Sequence, residues 1–155
     1  REISPLLPQE LDGRCDCGLG RIGFLPQALS PEDFLARLLE TVPFPWLLEA
    51  GPRPAATAKV AVCGGSCADL AATALAAGAD VFLTAEIKHH VACWAEEAGL
   101  WLLDGGHFAT ENPAMRRLSQ MLAEQTRQAA PQLRIHCAEQ QAPLRLPQPF
   151  FQKKR

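Results

Sequence analysis

His107 and Glu111 stand four residues apart and are the side chains of this sequence best suited to chemistry. An imidazole nitrogen and a carboxylate brought to one point make the N/O donor set that suits zinc, iron or manganese. A structural use is open at the same positions, with His107 bonding a turn and Glu111 favouring the first turn of a helix. Asp104 either orients the imidazole as an outer carboxylate or simply turns the chain. Glu86 is a second acid that could ligate a metal, serve as general base for a water, or sit as an acid at a helix start. His89 and His90 follow it, and adjacent side chains on a helix point about 100° apart, so at most one faces a common crevice.

Gly64-Gly65-Ser66 opens a helix. Such a turn exposes backbone N–H groups in front of a positive dipole end, which suits a phosphate or other anion; the alternative is that the glycines only make the turn tight. Neither GxGxxG nor GK[ST] is present, which disfavours dinucleotide and NTP sites of those kinds. Cys63 and Cys67 flank the turn and Cys15-x-Cys17 lies upstream, but neither forms the CxxC pairs of a zinc ribbon or a thioredoxin-like site. Cys67, at a helix start, is the candidate reactive thiol.

These residues need a frame, and the pattern from Lys59 onward supplies one. Apolar runs at 59–63, 80–84, 100–104 and 133–137 read as strands, and Cys67–Ala77, Lys88–Ala98 and Pro113–Gln128 read as helices between or after them. Ser66 with Asp69 reads as a capping-box pair, Gly78 and Gly99 as helix-ending glycines, and Pro113 as a first-turn proline. Strands apolar throughout that alternate with helices imply an α/β fold, a mostly parallel or mixed sheet with helices on both faces. In such a sheet the crevice lies beyond the carboxyl ends of the strands, where three of the four histidines, Glu86, Glu111 and the glycine pair all fall.

Upstream, Arg21–Leu25 reads as a strand and Ser30-Pro31-Glu32-Asp33 as the start of a helix running to Val42. Pro43-Phe44-Pro45 ends it, Trp46–Leu48 reads as a short strand, and 51–56 as a surface connection. The last residues, AEQQAPLRLPQPFFQKKR, carry three prolines, four glutamines and a basic end, and read as an extended tail.

With 155 residues, 48% hydrophobic and 21% charged, wholesale disorder and fibrous repeats are excluded. A net charge of −2 leaves no global electrostatic case for nucleic acid or a membrane surface. The uncharged stretch Leu70–Ala79 is about half of the roughly 20 residues a bilayer crossing needs. The opening REISPLLP has no signal-peptide character and six cysteines are sparse for a disulfide framework, so a reduced, cytoplasmic setting is expected. Arg1 in place of an initiator Met points to a chain that was trimmed or is part of something longer.

VAVCGGSCADL (60–70), AGADVFLTAEIKHH (77–90) and GLWLLDGGHFATEN (99–112) resemble, in order and spacing, the C-terminal core of the Nif-three-like family, the dinuclear-metal-centre proteins labelled GTP cyclohydrolase I type 2 homologues. GLGRIGFLP (18–26) resembles the family's entry into this domain. The resemblance implies one half of a two-part fold: a leading segment at 1–17, a C-terminal α/β domain at 18–140 and a tail at 141–155. It also implies that His107 and Glu111, in the GHxxTE segment, contribute to a site for two divalent ions. The other ligands, including a His-His-Pro segment, come from the family's N-terminal half; no HHP occurs here, and His90 takes the final histidine position of a different motif. Where Ala85 and Cys67 stand, the family usually has glycine and a small residue.

Three functions follow as expectations. The first is a metal-dependent, GTP cyclohydrolase-like hydrolase acting on a phosphate-bearing substrate, with His107 and Glu111 on metal, and Glu86, His90 and Gly64-Gly65-Ser66 lining the pocket. By resemblance it forms a hexameric homo-oligomer. The second is a non-enzymatic interaction or regulatory module with a structural metal, which the Phe150-Phe151 tail and ring assembly also suit. A thiol-redox role for Cys63 and Cys67 is the third and weakest, for want of CxxC.

Overall fold

The computed structural model describes residues 3–146. Val81–Thr84 (β7) and Trp101–Asp104 (β8) are buried along their whole length, a state that demands cover on both faces. Alternation along the strands divides the cover. Val81, Leu83, Trp101 and Leu103 face helix α1 (Pro31–Thr41) through Phe34, Leu35 and Leu38. Phe82, Leu100 and Leu102 face the opposite way, onto Ala71 and Ala74 of α2 (Ala71–Ala76) and Val91 and Ala95 of α3 (His89–Ala98). The small alanines let α2 and α3 lie close to the sheet. Phe34 meets Trp101 edge to face at 5.9 Å, and the indole N–H of Trp101 donates to Glu49 at 3.1 Å.

With β1 (Ile3–Ser4), β4 (Arg21–Leu29), β5 (Leu48–Ala50) and β6 (Thr57–Val62), the sheet has six strands in the order β1-β4-β6-β7-β8-β5. β6, β7 and β8 are parallel; β4 joins β6, β5 joins β8 and β1 joins β4 antiparallel. The sheet is therefore mixed, with its parallel part at the centre and helices on both faces, as the pattern implies. A separate hairpin of β2 (Leu7–Leu11) and β3 (Arg14–Leu19) has no counterpart in the sequence reading. Its signal was Asp12-Gly13, both in the left-handed region (φ 50° and 74°), as a two-residue hairpin turn requires.

Helix boundaries agree at α1, where Ser30 accepts from the Asp33 N–H at 3.1 Å, and at Gly78 and Gly99, both left-handed. Four expectations are corrected. A capping box at Ser66 is absent: a short 3₁₀ turn (Ala68–Leu70) precedes α2, and its N-terminal residue Cys67 makes no side-chain capping bond to it. The short strand expected at Trp46–Leu48 forms instead at Leu48–Ala50, because the Trp46 ring packs beside Gly106. Helix α4 runs His107–Ala129, so Pro113 lies inside it rather than in its first turn. The chain enters the helix directly from β8, and the proline only forfeits a bond to the Ala109 carbonyl.

The strand expected at 133–137 does not form. A strand exists only where its N–H and C=O groups find a neighbouring strand, and no sheet edge among the described residues pairs with this segment. Residues 130–146 form no helix or strand, whereas Phe150-Phe151 and the basic end lie outside the described residues.

Trp101→Ala removes the centre of the α1 face and is expected to lower the unfolding free energy by about 3–5 kcal/mol in urea denaturation. Leu133→Ser, at a half-exposed position of the absent strand, should stay within about 0.5 kcal/mol of the parent.

Candidate metal centre

Three turns leave the carboxyl ends of β6, β7 and β8 side by side, and one buried carboxylate ties two of them together. Asp104 accepts from the Ile87 N–H at 2.9 Å through Oδ2 and from the Gly106 N–H at 2.9 Å through Oδ1. It thus holds the turn carrying Glu86 against the turn carrying His107. No described hydrogen bond joins Asp104 to the His107 ring, so it acts as a clasp between turns rather than as the ring's orienting carboxylate. Gly105 N–H donates to the Thr84 carbonyl at 3.0 Å and tightens the same junction.

The first turn closes on the other two through Gly65. Its N–H donates to Thr110 Oγ1 at 3.0 Å, and its carbonyl accepts from Ala85 N–H at 3.1 Å and from Thr84 Oγ1 at 3.2 Å. Gly65 is left-handed (φ +75°), and a Cβ there would overlap Glu111 Oε1; one at Gly64 would stand 2.7 Å from the Thr110 carbonyl. The glycine pair is thus required for α4 to approach. The Gly65 N–H is committed to Thr110, and only the 3₁₀ turn and six-residue α2 follow, so the anion cradle reading has little to work with here. Thr110 and Thr84 are the site residues that sequence reasoning missed. Thr110 lies inside the GHxxTE segment, and Thr84 showed only as the last residue of a strand.

At the centre stands His107. Its Nδ1 lies 2.7 Å from Glu86 Oε1 and its Nε2 lies 3.2 Å from Glu111 Oε2. A carboxylate only accepts, so Nδ1–H donates to Glu86, and in the neutral ring Nε2 turns its lone pair toward a second carboxylate. Two lone-pair-bearing atoms held that close call for a positive charge between them, either a proton or a metal ion. Donors each about 2.1 Å from one ion stand roughly 3 Å apart, which matches this spacing. The donor chemistry and spacing therefore fit a divalent ion.

Glu86 is itself in the left-handed region (φ 56°), an unfavourable place for a residue with a Cβ, of the kind that clusters at functional sites. The Glu86 carboxyl is held below the usual carboxylate range by its bond to His107 and then by Ser66. His107 is raised above the ordinary imidazole value, chiefly by Glu86 and further by Glu111. The imidazolium form adds stability below the free value of about 6.5 and loses it as pH rises through the raised one. The three side chains are about half exposed, so water screens most of that contribution.

The structure brings His107, Glu111, Glu86, Ser66 and Gly65 together and leaves His90 apart. His90 is exposed in the first turn of α3, and none of the described hydrogen bonds links it to the cluster. Among the described residues no three His, Cys, Asp or Glu side chains form a group able to hold a metal ion. Beside His107 a pocket of about 60 Å³ is lined by Trp46, Gly106, Phe108 and residues 142–144, too small for a nucleotide. Cys63 is buried, and burial pushes its thiol up to about 12, which makes it inert. Cys67 is half-buried and donates to the Gly64 carbonyl. No described helix is long and apolar enough to cross a membrane.

Residues 1–143 match the sequence model of a family described as Duf34/NIF3 (NGG1p interacting factor 3). A Streptomyces coelicolor protein named GTP cyclohydrolase 1 type 2 homolog is 35% identical over 140 residues, 88% of this chain and 49% of its own length. A Nostoc protein of the same name is 31% identical, over 79% of this chain and 46% of its own. The chain therefore spans about half the length of these curated relatives. Among solved structures, a Bacillus cereus protein related to NIF3 superposes with a TM-score of 0.76 at 26% identity, covering 83% of this chain and 36% of that one.

The imidazole of His107 should titrate by NMR above the free value of about 6.5, and Glu86→Gln should move its midpoint down. Asp104→Ala orphans two backbone N–H groups and should cost about 2–4 kcal/mol in urea denaturation.

Proposed function

The chain belongs to the DUF34/NIF3 family, and on that premise we propose that it carries one side of a divalent-metal centre belonging to a metal-dependent hydrolase. The observation that carries this reading is the 3.2 Å approach of His107 Nε2 to Glu111 Oε2, with Nδ1 already committed to Glu86. His107 and Glu111 would hold the metal. Glu86 is a positioning residue: it selects the ring tautomer that leaves Nε2 free and raises its basicity. Thr110 and Gly65 seat the first turn of α4 so that Glu111 reaches the same point. The Gly64-Gly65-Ser66 turn borders the cluster as a contributor to a pocket.

A divalent ion supplies Lewis acidity and activates water when bound. Two donors are too few for a complete centre, and the chain spans half of its relatives' length, so the remaining ligands and the second ion's site come from another segment or chain. Assembly of several copies into a ring is part of the same proposal, and the exposed Met115, Leu118 and Leu122 of α4 supply apolar surface for it. The relatives' name supports a nucleotide or another phosphate-bearing molecule as substrate, while no side chain of this cluster reads a guanine.

A second reading, a non-enzymatic interaction module with a structural metal, is favoured by one observation: the cavity at His107 is only about 60 Å³.

Elemental analysis decides the metal. His107→Ala and Glu111→Ala should each strip most of the bound divalent metal, and Glu86→Gln should weaken binding about 10–100-fold; unchanged content in both alanine variants defeats the proposal. Chelator-sensitive turnover in a screen of nucleotides and phosphoesters supports the hydrolase. An assembly that falls apart with chelator but turns nothing over supports the module.

A further inference from the structure

The first two turns of α3 hold a second pair of donors, separate from the His107 cluster. His89 Nε2 and Cys93 Sγ lie 3.5 Å apart, four residues along one face of the helix. Both side chains are exposed, Cys93 is a free thiol, and neither makes another described side-chain hydrogen bond. The helix positions them: residues at i and i+4 sit one above the other, and α3 is anchored from its other face by Val91 and Ala95.

We propose that His89 and Cys93 form a chelating site for a thiophilic divalent ion of the zinc type. Zinc binds imidazole nitrogen at about 2.0–2.1 Å and thiolate at about 2.3 Å, so two such ligands at a tetrahedral angle stand about 3.5 Å apart. The pair already has that spacing, and an ion entering between the two atoms needs no backbone movement.

The chemistry agrees. In the tautomer that carries the ring proton on Nδ1, the thiol donates to Nε2, and the Nε2 lone pair points at the place an ion would occupy. On binding, the S–H bond breaks, a metal–sulfur bond forms, and one proton leaves to solvent per ion. Water completes the coordination, since no third His, Cys, Asp or Glu among the described residues joins the pair. The N/S donor set differs from the N/O set of His107 and Glu111. Thiolate selects for zinc, cobalt or cadmium over manganese or magnesium, whereas imidazole with carboxylate does not.

Cobalt(II) titration of the reduced protein, with a reductant that contains no thiol, tests this. The parent, His107→Ala and Glu111→Gln should all show a thiolate-to-cobalt absorption band, saturating at one ion for the band, with protons released in step. Cys93→Ser should abolish the band, and His89→Ala should weaken it at least about tenfold. Zinc should slow alkylation of Cys93 in the parent but not in His89→Ala, as read by peptide mass spectrometry. The proposal is overturned if the parent shows no band, or if the band survives Cys93→Ser and disappears with Cys67→Ser or Cys137→Ser. Because the proposed metal centre is read from the metal content of His107→Ala and Glu111→Ala, failure of either site is seen separately.

Discussion

Everything at the candidate centre depends on the Asp104 carboxylate. Strand β8 ends there, buried, and both its oxygens are spent on backbone N–H groups of two different turns. A carboxylate removed from water is costly unless its lone pairs are filled, and here they are filled by N–H groups that would otherwise also be unsatisfied. That mutual need joins the turn after β7 to the turn after β8. Glu86 and His107 are 21 residues apart in sequence, yet they meet at 2.7 Å because their two turns have no freedom to separate.

On that junction rests a second constraint, the absence of side chains at Gly64 and Gly65. The turn after β6 lies so close to the start of α4 that a methyl group would overlap Glu111 or the Thr110 carbonyl. The approach brings the Glu111 carboxylate and His107 Nε2 to 3.2 Å, a spacing that calls for a positive charge between them. A proton on the imidazole or a metal ion supplies that charge, which is why the cluster is a candidate metal centre. The left-handed backbone of Glu86 is the matching expense, since a residue is held in a poor conformation to place one carboxylate on the imidazole.

The C-terminal segment follows the opposite logic. Leu133–Cys137 has the composition of a strand, and among the described residues no strand edge lies alongside it. Backbone pairing is a property of two segments, so a strand-like sequence without a neighbour stays irregular.

Much of this protein was legible along the chain. Full-length apolar runs alternating with alanine-rich helices dictate a sheet covered on both faces, because buried strands have to be apolar on both sides; Ser30, Gly78 and Gly99 mark helix ends through local bonds and dihedrals alone. The edge carrying Glu86, His107 and Glu111 was legible too, since turn residues after parallel strands share one end of the sheet. Asp12-Gly13 carried a hairpin signal that was there to be read. Only the tertiary structure decided that Glu86 belongs to His107 while His90 stands apart, that Asp104 clasps turns rather than the ring, and that the glycine pair serves the approach of α4. Those outcomes are set by distances between segments far apart in sequence, and local propensity has no term for how closely two turns pack.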